Sequence, residues 1–321
     1  MTTATSPTDA ADRSSPTAGP PAGTAGGTTS ERRRRERRAG WLFVLPDAIG
    51  LLIFLGIPMV LTFVLSFFRV NGFGAYDFVG FANFQRMFSD PQFTSSLLRS
   101  LVYIVILVPL LFVVSLALAI LVTKKIPMIG VFRSAFFVPY VVSLVVVGLV
   151  WQFMLTDKVG VVSRLFSGIG VEASWLGDPK YALASVIVVT VWYQMGYYMI
   201  IFMAGIQDIP KEYYEAATID GAGGWASFKS ITWPLLRPTS FFVLLTTTIA
   251  ALTGGLDLIY VLTKGGPANS TTLVIFYIFQ QAFQYGEFGY AAAMSTFLVL
   301  VMLAISMVIF AVTRGGRFDN D

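Results

Sequence analysis

Apolar residues in this chain gather into long continuous runs, with short polar stretches between them. Six runs stand out, near 42–68, 97–122, 131–155, 181–206, 238–262 and 288–312. An α-helix gains 1.5 Å per residue, so about 20 apolar residues cross the roughly 30 Å hydrocarbon core of a bilayer. Each run is long enough, and none shows the alternation of a transmembrane β-strand. The pattern predicts an all-α, polytopic membrane protein with six transmembrane helices. The first run contains Pro46, Gly50, Gly56 and Pro58 and is expected to kink, which a bundle tolerates where neighbours satisfy the freed carbonyls.

The polar stretches set an orientation. With the N-terminus in the cytoplasm and a change of side at each span, 15 of the 22 basic residues fall inside, as the positive-inside rule requires. Both termini are then cytoplasmic, 69–96, 156–180 and 263–287 lie outside, and 207–237 lies inside. The cluster ERRRRERR at 31–38 abuts the first span. It reads as a topology anchor on anionic membrane lipid rather than a nucleic-acid site. The first 30 residues are mostly Ser, Thr, Ala, Gly and Pro. Residues 1–39 are therefore expected to form a disordered cytoplasmic tail, and 40–315 the transmembrane domain.

Composition narrows the chemistry. Hydrophobic residues make up 55% of the chain and charged residues 12%, about half the charge of an ordinary soluble domain. The absence of His and Cys excludes disulfides, a histidine base, haem held by histidine and zinc sites built on either ligand. No Walker sequence occurs, and Lys264-Gly265-Gly266-Pro267 lacks the order of a phosphate loop. The chain is expected to hold no metal or cofactor and to hydrolyse no ATP itself.

One polar stretch carries more information than the others. Between 208 and 237, Asp208 can cap a helix start, Pro210 suits a first turn, and Glu212 and Glu215 fall where the helix dipole favours negative charge. Ala216, Ala217 and Gly221 give a low surface that another protein can approach closely. Gly221, Gly223 and Gly224 should end the helix, and Trp225, Phe228 and Ile231 mark a second amphipathic piece before Pro234 and Pro238. The expectation is helix, glycine turn and helix at the membrane face. Such a hairpin could simply seal the bundle.

The spacing of Glu215-Ala216-Ala217, Gly221 and Ile231-Thr232-Trp233-Pro234 resembles the EAA loop of permease subunits in binding-protein-dependent ABC importers. Trp233 stands where the family usually has Leu. A second stretch, TGGLDLIYVLTKGGPANSTTL at 253–273, resembles a motif of the carbohydrate-importer permeases of the maltose and glycerol-phosphate type. Asp257, Ile259, Leu262, Thr263, Gly265, Gly266, Pro267, Thr271, Thr272 and Leu273 match it, with Leu256 replacing the common Phe. The resemblance spans about residues 40 to 315 and implies the fold of a type I ABC importer permease in a bacterial cell membrane. It implies four kinds of partner: a second homologous permease, two cytoplasmic ATPase subunits, an extracytoplasmic solute-binding protein and a sugar substrate. By position, Glu215 would make a polar contact with the ATPase, Ala216 and Ala217 would allow close approach, and Gly221 would permit the turn.

Other polar positions suggest a substrate pathway. Trp192, Tyr193, Gln194 and Tyr197 crowd the fourth run, with Tyr198 beside them; aromatic faces and an amide suit a sugar, though aromatics also serve ordinary helix contacts. Asp257, an ionisable residue in an apolar run, suggests either substrate contact or a structural bond to the 265–267 loop. A rival reading is a secondary transporter driven by H⁺ or Na⁺, but no inverted repeat is evident. ATPase dependence separates the two.

Overall fold

Four of the six apolar runs fold as continuous spans: Gly40–Leu65, Pro91–Thr123, Pro179–Gln207 and Phe288–Ala311. The shortest has 24 residues and reaches about 36 Å, ample for a bilayer. These come from a computed structural model that describes residues 29–70, 74, 76–124 and 127–312. The chain separates into two units between Pro58 and Met59.

In the first unit, α1 (Thr29–Leu51) leads into a π-helical turn, Leu52–Gly56. Where a kink is expected, the span carries that π-helical turn and otherwise runs as one continuous helix, Gly40–Leu65, with Pro46 inside α1. Residues 29–39, expected in the disordered tail, are helical; the remainder of that tail, 1–28, lies outside the described residues. Helix α2 (Ile57–Leu65) starts at the last residues of this unit and has most of its length in the second.

The second unit continues with a small antiparallel hairpin, β1 (Phe68–Val70) and β2 (Tyr76–Phe78), in which Phe68 faces Phe78 and Val70 faces Tyr76. Short α3 (Ala82–Ser89) precedes the long α4 (Pro91–Thr123). Then come α5 (Ile129–Val141), α6 (Leu144–Leu155), the short α7 (Val161–Ser167) and the long α8 (Pro179–Gln207). The 207–237 stretch holds α9 (Lys211–Ile219), then α10 (Gly224–Ser227), a π-turn and α11 (Trp233–Leu235). Last come α12 (Arg237–Thr253), α13 (Leu256–Leu262), α14 (Val274–Phe279) and α15 (Phe288–Val312).

Two expectations need correction. The third run, 131–155, is not one straight helix: α5 and α6 meet at 99°. Pro139, near the end of α5, lacks the N–H that would continue the ladder. The fifth run, 238–262, is also divided. Helix α12 stops at Thr253, and Gly255, at φ +89°, turns the chain into a separate α13. The bent pair with the length and composition of a span here is Gly224–Leu235 with Arg237–Thr253, at 67°. Six spans are reached only when each bent pair counts as one.

The core of the second unit is the seam between α4 and α8. Leu107, Leu111 and Ala119 of α4 and Val186, Met199 and Phe202 of α8 are buried there, and Phe112 meets Phe202 edge-to-face at 5.0 Å. Helix α5 lies against α8 at Gly196, where an added Cβ would stand 1.9 Å from the Phe136 carbonyl oxygen. Only glycine admits that approach. A second cluster joins α3, α4, α14 and α15 through Met87, Phe93, Val274, Tyr290 and Met294. Many apolar side chains point outward, including Leu98, Val105, Phe153 and Leu303, as lipid-facing helices require.

Candidate functional site

The 207–237 stretch folds as helix, turn and helix, as its residues suggest. Asp208 does not cap α9 but ends α8, leaving Pro210 at the cap position. At the far end of α9, Asp220 N donates to Ala216 O, Gly221 N to Thr218 O and Ala222 N to Ala217 O, at 2.8–3.1 Å. Gly221 adopts φ +75°, the left-handed conformation that closes a helix with such bonds. The two legs are tied by a hydrogen bond between the Tyr214 and Thr232 hydroxyls at 2.9 Å. The second leg reaches the bundle through rings: Trp225 stacks on Phe228 at 5.5 Å, and Trp233 lies 6.3 Å from Phe112 of α4.

Among the described residues, nothing packs over the outward surface of this hairpin. Glu215, Ala216 and Gly221 are exposed and Ala217 is half-buried, while Ile219 is 87% and Trp225 76% exposed. An exposed helix with two alanines on it and uncovered apolar side chains beside it is suited to contact with another protein.

The candidate pathway residues are only partly brought together. Tyr197 stacks on Tyr140 at 4.6 Å, and Tyr193 lies 5.5 Å from the same ring. The Tyr193 hydroxyl is 3.3 Å from the carbonyl oxygens of both Tyr140 and Val142 and donates to them where α5 breaks. One phenol thus serves the carbonyls freed by the bend. Trp192 turns to α6 instead, meeting Trp151 edge-to-face at 5.5 Å. Gln194 is half-buried on α8. Asp257 is exposed in the first turn of α13, where the helix dipole favours its charge. Among the described residues it makes no hydrogen bond to the 265–267 loop. Tyr140 joins the cluster only through the fold, since it lies 53 residues from Tyr193.

The 263–273 motif closes on itself. Thr263 and Thr271 hydroxyls are 2.7 Å apart, Thr271 Oγ1 donates to Gly266 O at 2.8 Å, and Thr272 Oγ1 to Gly265 O at 2.9 Å. Thr271 and Thr272 are fully buried. These residues shape a turn.

A cluster unnoticed in the sequence lies at the start of α4. Asp90 caps that helix through the backbone N–H of Gln92 and Phe93, and its other oxygen accepts from Tyr277 and Tyr290, each at 2.7 Å. Burial works against the Asp90 charge, but these hydrogen bonds outweigh it and hold the carboxyl below its ordinary range. Arg86 lies 4.1 Å over the Tyr290 ring and pairs with Glu287 at 3.1 Å. One carboxylate so ties together the starts of α4 and α15 and the body of α14.

Known proteins share this architecture. Residues 92–315 match the family model described as "Binding-protein-dependent transport system inner membrane component". A probable ABC transporter permease protein of Pyrococcus horikoshii is 36% identical over 82% of this chain and 91% of its own length. The lactose transport system permease protein LacF of Rhizobium radiobacter is 34% identical over 86% and 94%. The trehalose/maltose transport system permease protein MalF of Thermococcus litoralis is 32% identical over 89% and 96%. Among solved structures, a chain of a bacterial ABC transporter involved in the import of the acidic polysaccharide alginate superposes with a TM-score of 0.77. It is 25% identical, and the match covers 88% of this chain and 99% of that one. These matches set aside the ion-coupled secondary transporter. With its bent spans and the family model matched over most of its length, the chain belongs to the inner-membrane components of binding-protein-dependent transport systems and is a transmembrane permease subunit of an ABC importer.

Proposed function

We propose that the chain pairs with a second, homologous permease to enclose a path for a sugar or related solute. The 207–237 hairpin lies in the cytoplasm and docks on one of two ATPase subunits. The observation that carries this reading is the hairpin itself: Glu215, Ala216 and Gly221 are exposed, as are Ile219 and Trp225, on a loop tied by the Tyr214–Thr232 hydrogen bond. Force applied to α9 passes into α8 directly and into α12 through the second leg. Both helices then move against α4. A solute-binding protein delivers the substrate from the opposite face. The sugar class is supported by the lactose and trehalose/maltose permeases among the relatives, and by the Tyr140, Tyr193 and Tyr197 faces, which suit a ring with apolar hydrogens and hydroxyls.

The test is affinity purification from native membranes in mild detergent with stoichiometry by mass spectrometry. One second permease and two ATPase copies per chain are expected. Recovery of this chain alone or as a homo-oligomer, even after gentle crosslinking, would refute the reading.

A further inference from the structure

Behind the hairpin, between its two legs and the ends of α4 and α8, lies a cavity of about 790 Å³. That is within the roughly 300–1,000 Å³ of small-molecule sites. Its lining is ordered. Ile120 and Ile206 contribute apolar surface from the spans, and Phe228 from the second leg; Lys124, Lys211 and Ser227 contribute cationic and hydroxyl groups. Lys124 follows Ile120 by four residues near the end of α4, about 6 Å further along the helix direction. Along α4, apolar surface therefore gives way to positive charge at the end of the helix, and Lys211 adds a second cation to the lining.

Neither lysine forms an ion pair among the described residues. The nearby acids of the loop, Asp208, Glu212, Glu215 and Asp220, do not line the cavity. Cations beside apolar surface at the membrane boundary match an amphiphile with a phosphodiester head.

We propose that this cavity binds the head and glycerol region of an anionic phospholipid from the inner leaflet, with Lys124 and Lys211 holding the phosphodiester. A lipid seated there touches α4, α8 and both legs of the hairpin at once. Bound lipid braces the hairpin against the bundle, so coupling to ATP hydrolysis depends on anionic lipid. The inference rests on the cytoplasmic placement of 207–237 proposed above.

The experiment is native mass spectrometry of the complete purified transporter in mixed micelles, titrated with phosphatidylglycerol, phosphatidylcholine or inorganic phosphate. Phosphatidylglycerol is expected to bind and phosphatidylcholine not to. The double variant Lys124→Gln/Lys211→Gln should weaken binding about 25-fold, roughly fivefold per lysine, while still retaining its ATPase subunits. Lys158→Gln, on the other face, should change nothing. Unchanged phosphatidylglycerol binding in the double variant, or equal binding of phosphatidylcholine, overturns the proposal. Lysine-dependent binding of inorganic phosphate without phosphatidylglycerol also overturns it, in favour of a soluble anion. A companion variant, Lys229→Cys in this cysteine-free chain, separates the two claims. Labelling by an impermeant maleimide only from the cytoplasmic side upholds the placement whatever the lipid result, and labelling from outside refutes it.

Discussion

Asp90→Ala removes the cap of α4 and, with it, the acceptor shared by Tyr277 and Tyr290 at 2.7 Å. A lost N-cap costs about 1 kcal/mol. A hydrogen bond to a charged group contributes roughly 1.5–3 kcal/mol. The two phenols share one oxygen and the site is partly solvated, so the simple sum is too large; about 3–5 kcal/mol of destabilisation is expected. Asp90→Asn keeps the cap through its one oxygen but turns a donor amide toward the two phenols, so it should spare only the cap's share of about 1 kcal/mol. Denaturant titration of the detergent-purified complex measures both. A double-mutant cycle with Tyr277→Phe should show about 1–2 kcal/mol of coupling. The carboxyl is held below its ordinary range, so its contribution is complete above the unfolded value near 3.9 and is lost as pH falls through the lower folded value. The gap between wild type and Asp90→Asn should begin to close below about pH 4 and be gone below the folded value. The reasoning fails if Asp90→Ala lies within about 0.5 kcal/mol of wild type, as a surface substitution would. It fails equally if Tyr277→Phe costs as much without Asp90 as with it.

Other perturbations test the remaining claims. Gly196→Ala puts a Cβ 1.9 Å from Phe136 O and should cost at least about 2 kcal/mol by forcing α5 off α8; Gly130→Ala, with nothing within 4 Å of its new atom, should be tolerated, and thermal unfolding separates them. Tyr193→Phe leaves two bend carbonyls without their phenol donor and should lower the unfolding free energy by about 1 kcal/mol. Gly221→Asp and Ala217→Glu should leave membrane abundance unchanged yet abolish ATP-driven uptake, so normal uptake in either variant sinks the docking assignment.

The long apolar runs betray helices because nothing but a helix or barrel satisfies the backbone in lipid. Gly221 betrays its turn because few other residues reach φ +75°. The hairpin at 207–237 was therefore legible as local structure. The break at Val142-Ser143 was not. It sits in a run of Val and Leu, and the group that serves its carbonyls, Tyr193, arrives from 51 residues away. Gly254-Gly255, inside the apolar run 238–262, ends α12 and starts α13. The Asp90 cluster was invisible for the same reason as the bend: its phenols come from 187 and 200 residues further along. Of the pathway candidates, Tyr193 and Tyr197 meet through Tyr140, which carried no signal of its own, while Trp192 turns toward α6.

The central claim is that α9 is the point where an ATPase delivers force. Since the chain has no cysteine, Ala217→Cys offers a single reactive position on that helix. The most direct measurement is crosslinking of this variant in native membranes with a short heterobifunctional reagent, followed by mass-spectrometric identification of the adduct. The account predicts one ATPase subunit joined at Ala217, with the yield changing when ATP binds. A partner-free chain, or an adduct only with lipid or the second permease, would contradict it.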